Sequence, residues 1–433
     1  MLTLLGRRRR FCDGFSRRGF LKIGALGVGG MALPELLRAE AVLAAQASGK
    51  SIINIILYGG PSHIDMFDMK PKAPANYRGD FSPIPTNVPG VEICELFGEL
   101  ATVADKYSII RSIVGMNGEH KNSQSDSGWS VHSLNTMGGR PSVGAVMSKL
   151  WGPAQVTSRG TAPTFVDLTG VTRPGFLGQV HAGYRPDGTG RANLTLNPNI
   201  SLTRLDDRAN LLKGLDRLRH DVDRSGMMNA VDSFTQRAVG MVTSGEIATA
   251  LDIEKEDPQV VERYAIKKYG ENKLMLVARR LVEAGTRYVA FTWGGWDTHS
   301  NNFPTLRSEL PFLGRGLTAL IEDLEARGRL DDTIIMMSGE FGRTPWVNGS
   351  AGRDHWPPAA FFFLAGGGMR HGQVIGATSP RGDRPVDRPV HLQHVFHTVY
   401  HQLGIDADSV TLIDPNGRPR YLLDHRELIP ELV

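Results

Sequence analysis

The sequence predicts an α/β fold with a mostly parallel central sheet flanked by helices. Three observations predict it. Unbroken apolar runs of strand length occur along the chain, the kind buried on both faces of a sheet. They alternate with amphipathic helical stretches that stop at glycine. Several of them run directly into glycine-rich loops bearing Asp, His or Glu, and open α/β sheets bind ligands beyond the carboxyl ends of their strands.

The first 47 residues stand apart. They hold eight basic side chains against three acidic ones, so most of the basic excess of a chain with 49 Lys and Arg against 45 Asp and Glu sits here. The order is basic, then apolar, then small. Ser16-Arg17-Arg18-Gly19-Phe20-Leu21-Lys22 resembles a twin-arginine export signal, a Gly-rich apolar stretch follows from Ile23 to Leu33, and Ala45-Gln46-Ala47 fits a small-x-small cleavage site. The apolar stretch is broken by Pro34, Glu35 and Arg38, too early to span a bilayer. The expectation is a leader over residues 1–47, removed on export to the periplasm or the extracellular space, with no stable membrane insertion afterwards. Of the two cysteines only Cys94 remains, which rules out an internal disulfide. It lies in an alternating apolar and polar stretch and reads as a small buried hydrophobe.

The body, residues 48–433, reads as one elaborated domain. Ile52–Tyr58 (IINIILY) is the first strand, and the stretch from Asp105 to Ile110 leads into a second. Residues 152–203 are rich in Gly, Pro and Thr and suggest loops with short strands. Residues 204–284 are charged and periodic and predict a helical insertion. The pattern then becomes regular. A helix spans Leu274–Ala284, a strand Arg287–Thr292, a long helix Leu306–Arg327, strands Thr333–Met337 and Ala360–Leu364, and a closing helix about Val390 to Leu403. His394, His397 and His401 share a face of that last helix, but they alternate with apolar residues and read as structural or surface histidines. The Gly366-Gly367-Gly368 run lacks the spacing of a dinucleotide site. No interleaving of basic and aromatic residues supports nucleic-acid binding.

Chemistry concentrates after the strands. The first is followed by Gly59-Gly60-Pro61-Ser62-His63-Ile64-Asp65, the next by Trp293-Gly294-Gly295-Trp296-Asp297-Thr298-His299, and the third by Ser338-Gly339-Glu340-Phe341-Gly342-Arg343. A polar loop then delivers Arg353-Asp354-His355. Asp297 and His299 are two apart, so on a continuing strand both would face one side. Carboxylate plus imidazole is a donor set for a divalent metal such as Zn or Mn, or for Fe. The competing reading is a turn cap at Asp297 and a surface imidazole at His299. Glu340 is a metal ligand or the ion-pair partner of Arg343, and Asp354-His355 a catalytic or ligand pair or a hydrogen-bonded loop.

The leader, GGPSHIDMFDMKP, WDTHSNNF, SGEFGRTPW, GRDHWP and AGGGMRHGQVIGATS together resemble the exported domain-of-unknown-function family fifteen-oh-one, over nearly the whole body. That family is similar in turn to the alkaline phosphatase and sulfatase superfamily, an alkaline-phosphatase-like α/β sandwich around one or two metal ions. The resemblance implies metal ligands at Asp297, His299, Glu340 and His355, with His63 and Asp65 standing in where the first strand ends in Gly59-Gly60 rather than Asp. It implies a nucleophile near Ser123, or Ser125, with His120 and Lys121 as anion or metal contacts and Arg343 neutralising charge. Phe341 stands where the superfamily has an imidazole. The function implied is an exported metal-dependent hydrolase acting on phosphate or sulfate esters of a small molecule or polysaccharide. The alternative is a non-catalytic relative that binds a glycan, a metal or an envelope protein partner.

Overall fold

A computed structural model describes residues 49–157, 160–187, 245–266 and 270–433. The expected leader and residues 204–244 of the expected helical insertion lie outside the described residues.

The central sheet has eight strands. In chain order they are β1 (Ser51–Ile56), β2 (Tyr107–Val114), β3 (Phe165–Asp167), β4 (Tyr288–Thr292), β5 (Thr333–Ser338), β6 (Ala360–Gly366), β7 (Gln373–Ile375) and β8 (Val390–His391). Across the sheet the order is β7-β2-β6-β5-β1-β4-β3, with β8 also paired to β2. The apolar run Ile52-Ile53 occupies the middle because it is buried on both faces, which only a central strand requires. β1 runs parallel to β4 and β5, and β3 parallel to β4. β6 is antiparallel to both β5 and β2. The predicted mostly parallel sheet is therefore present with one reversed strand. The sequence AFFFLAG, apolar throughout, contains nothing that fixes its direction.

Alternation along the strands divides the core in two. Ile53, Ile55, Phe291, Met337 and Phe363 face one way and pack with Met275, Leu317 and Leu320. Those last three lie on two long helices, Glu271–Glu283 and Asn302–Ala326. Ile52, Ala290, Met336 and Phe362 face the other way, against Val146, Phe396 and Val399. These come from the helices Val143–Trp151 and Leu392–Gln402. Arg279, almost wholly buried, staples the first helix pair by its ion pair to Asp323 on the second helix, and also pairs with Glu283 on its own. Cys94 is fully buried in the first core, as its apolar neighbours predict, and burial pushes its thiol up to about 12. No helix among the described residues is long and apolar enough to cross a membrane.

The directions of the strands decide where chemistry can gather. β1, β4 and β5 are neighbours and parallel, so the loops at residues 57–62, 293–301 and 339–345 leave the same edge of the sheet. β2 points the same way, because two antiparallel steps through β6 restore the direction. Its following loop carries His120 to that edge too.

Candidate metal centre

Four side chains from three loops meet there. His120, Asp297, His299 and His355 each offer one ligand atom, and those atoms lie within 4.8 Å of one another. His299 Nε2 is 3.0 Å from Asp297 Oδ1 and 3.0 Å from His355 Nε2. His120 Nε2 is 3.4 Å from Asp297 Oδ2. His120 and His355 are half-buried, while Asp297 and His299 are exposed. β4 ends at Thr292, so Asp297 and His299 do not share the face of a strand. They are brought together by a turn in which the His299 N–H donates to the Asp297 carbonyl at 3.1 Å.

Two of the four are held from behind by hydrogen bonds, His299 and Asp297. His299 Nδ1 hydrogen-bonds Asp354 Oδ1 at 2.6 Å, which fixes the ring orientation and leaves Nε2 turned to the cluster. The Asp354 carboxyl is held below the usual range, chiefly by His299 and also by Asn348. Burial would raise the Asp297 carboxyl, but the Arg343 guanidinium at 2.6 Å holds it below its ordinary value. Burial lowers His355, and Arg343 lowers it further, so its imidazole is neutral and available as a ligand at neutral pH. The Phe341 ring packs on His355 with centroids 4.2 Å apart, and on His120 at 5.3 Å.

Glu340 lies in the loop after β5 but sits one layer deeper. It is fully buried, and Oε2 accepts from the N–H groups of Gly59 and Gly60 at 2.8 and 2.9 Å. Glycine is required there. Gly59 has φ of 106°, and a Cβ on it would lie 2.5 Å from the Asp297 nitrogen. The other oxygen, Oε1, is buried without a hydrogen-bond partner, as is His120 Nδ1. The two are 4.0 Å apart. Burial raises the Glu340 carboxyl. A pair of buried polar atoms left unsatisfied, next to a three-imidazole, one-carboxylate set, fits a divalent cation of the Zn or Mn type.

Other candidate residues are placed elsewhere. Asp65 is fully buried and pairs with Arg353 at 2.7 Å, and it also accepts from Asn302 and Ser62. His63 is fully buried, its Nε2 3.0 Å from the Gly382 carbonyl, and burial lowers its pKa. Neither is among the four converging side chains. Arg343 is buried, and its N–H groups go to the carbonyls of Gly59, Gly60, Trp296 and Arg353 as well as to Asp297. Here it is a strut that knits three loops and orients Asp297. Ser123 opens the short helix Ser123–Ser127, with its hydroxyl 3.4 Å from that of Ser127. It lines a cavity of about 270 Å³ that shares His120 with the cluster.

Two contributions escaped the sequence reading. The first is Asp354, read with His355 as a catalytic or ligand pair or as part of a hydrogen-bonded loop, whose carboxylate lies behind His299. The second is the use of the Gly59 and Gly60 N–H groups, which could have been suspected only from the buried glutamate opposite them.

Among solved structures the chain is similar to the PsFucS1 sulfatase from Pseudoalteromonas sp., at 11% identity and a TM-score of 0.38, covering 87% of this chain and 72% of that one. It is also similar to Ps i-CgsB in complex with k-i-k-neocarrahexaose, at 11% identity and a TM-score of 0.34 over 82% and 72% of the two chains. The lipoteichoic acid synthase LtaP from Listeria monocytogenes follows at 11% and 0.33 over 83% and 73%. No curated protein matches the sequence. A family model does match, over residues 49–433, and by it the chain belongs to the family described as "Protein of unknown function (DUF1501)".

Proposed function

We propose that this protein is an exported, metal-dependent hydrolase acting on phosphate or sulfate esters. The observation that carries the reading is the convergence of His120, Asp297, His299 and His355, with Asp354 behind His299. These four would hold a divalent cation, with Glu340 behind His120, its Oε1 4.0 Å from His120 Nδ1. Such an ion supplies Lewis acidity toward an ester oxygen and lowers the pKa of a bound water.

The chain's own groups do the rest. Arg343 keeps Asp297 ionised and oriented. Asp354 fixes the ring of His299. Phe341 covers one face of His355 and narrows access by water. Ser123 lines the adjoining cavity beside His120, where a nucleophile would be placed. The export leader argues for action in the periplasm or the extracellular space.

A second reading is favoured by one observation. The Ser123 hydroxyl faces Ser127, and none of the four ligands is its hydrogen-bond partner. A metal-binding relative without a nucleophile would look like this.

Metal analysis separates the two readings from failure. The protein purified without chelator is expected to carry stoichiometric metal, and His299→Ala and Asp297→Asn to lose it. A wild-type protein that takes up no Zn or Mn in direct titration overturns the metal reading. If metal binds, ester turnover that is abolished by chelator supports the hydrolase. Metal uptake without turnover of any sulfate or phosphate ester supports the binding protein.

A further inference from the structure

The cavity beside the cluster has a lining whose charge the metal site does not explain. Three cations face it, Lys121, Arg140 and Arg173. Among the described residues none of the three has a carboxylate within 4.0 Å, although most Arg residues elsewhere in the described chain do. Arg140 is also held in place. Its guanidinium lies 3.7 Å over the Trp129 ring, Nε donates to Ser133 Oγ at 3.2 Å, and Nη1 donates to the Tyr421 carbonyl at 3.0 Å. That leaves Nη2 without a partner among the described residues.

The loop carrying Arg173 is equally fixed. The Asp167 carboxylate, at the end of β3, accepts from the backbone N–H groups of residues 169–172 and from the Thr172 hydroxyl. The Arg173 carbonyl accepts from Ser142 N at 3.1 Å. The one acid in the lining is Asp126, which is buried and hydrogen-bonded by Tyr288. Burial raises its pKa to about 8, so at neutral pH it adds little negative charge. A guanidinium held in place, with a second arginine and a lysine on the same cavity and no carboxylate within 4.0 Å of any of them among the described residues, forms a site for an oxyanion, which such groups bind through charge-assisted hydrogen bonds.

We propose that this cavity is an anion subsite in which Arg140, Arg173 and Lys121 hold a second acidic group of the substrate, on the far side of His120 from Asp297. The proposal rests on the ester-hydrolase reading and narrows it. The substrate carries at least two acidic groups, one as the ester at the cluster and one at the arginines. An acidic oligosaccharide fits that description and an isolated monoester does not.

The test uses inorganic sulfate, inorganic phosphate and acetate as probes, titrated calorimetrically into the chelator-treated protein at low salt. Saturable binding of at least one probe is expected, and the strongest one identifies the acidic group as sulfate, phosphate or carboxylate. Arg140→Gln with Arg173→Gln is expected to weaken it about tenfold or more. Metal uptake by that double variant should match wild type. Should loss of the Trp129 stack unfold it, Lys121→Gln with Arg173→Gln carries the same test at exposed positions. No saturable anion binding by wild type, or binding unchanged in a folded double variant, overturns the subsite. The metal reading fails separately, by absence of metal uptake in wild type.

Discussion

His299 shows how a single residue is given its task. An imidazole has two nitrogens, and the one engaged by a carboxylate leaves the other to bind metal. Asp354→Asn is therefore expected to lower metal affinity about tenfold or more while leaving the fold unchanged, read by competition with a chromophoric chelator. Asp126 gives a prediction of the opposite kind, in stability. Its folded pKa of about 8 lies far above the ordinary carboxyl value, so the folded chain holds a proton that the unfolded chain has released. The contribution of this group is greatest below the unfolded value near 4 and falls as pH rises toward the folded value. Asp126→Asn keeps the acceptor for the Tyr288 hydroxyl and removes the titration. Relative to wild type it should gain stability by about 1 kcal/mol per pH unit across that window. Urea unfolding at pH 5 and pH 8 checks the difference, and equal slopes would refute it. At this scale the sequence was legible where a rule of place applied. Asp297, His299 and His355 follow strands or a Gly-rich loop at one sheet edge, and they meet. His63 and Asp65 obey the same rule and do not join them, because a one-turn helix at His63–Met66 carries both inward. Nothing in GGPSHID distinguishes a residue facing the cleft from one facing the core.

The loops act as elements through the struts that join them. The loop carrying Asp354 and His355 is tied to the first strand's loop by Arg353 and Asp65, both fully buried. Arg353 also donates to the carbonyls of Tyr77, Thr344 and Pro345. Asp65→Asn would leave that guanidinium in the interior with its charge uncompensated. The expected loss is about 3 kcal/mol or more, seen as a lower urea midpoint. Metal affinity should fall with it, because the loop presenting His355 loses its anchor. Unchanged stability would show that the carbonyls alone satisfy Arg353. The helices and strands named from Leu274 onward were legible to within a few residues, since burial on two faces and on one stripe leaves distinct periods, whereas the helix Val143–Trp151 and the short strands Phe165–Asp167 and Gln373–Ile375 were not read. The closing helix illustrates the limit of that. His394, His397 and His401 were read as structural or surface residues, and they fall into different settings, with His397 buried near Asp408 and His401 exposed. His391 and His425, which stack at 3.8 Å, come from either side of the helix and left no periodic trace.

At the scale of the whole molecule, charge and topology bear on where an export leader would be cut. The first 47 residues carry the basic excess, and the remainder has 41 basic against 42 acidic side chains. The central strand begins at Ser51, only a few residues beyond the expected cleavage after Ala47, and Ser51 N already bonds the Asp332 carbonyl at 2.8 Å. β1 pairs on both sides, with β4 and with β5, so it cannot be shortened as an edge strand can. A chain beginning at Ser48 should therefore match the full chain in thermal midpoint and metal content. A chain beginning at Leu57 lacks the strand that joins β4 to β5 and should not fold cooperatively, as circular dichroism melts would show. Export is tested separately by Arg17→Lys with Arg18→Lys in the full chain. Because a twin-arginine signal is read by a receptor and not by the folded domain, that variant should accumulate in the cytoplasm with its melting curve intact. Its continued appearance outside the cytoplasm would refute the assignment of the leader without touching the metal site, since no ligand lies before His120.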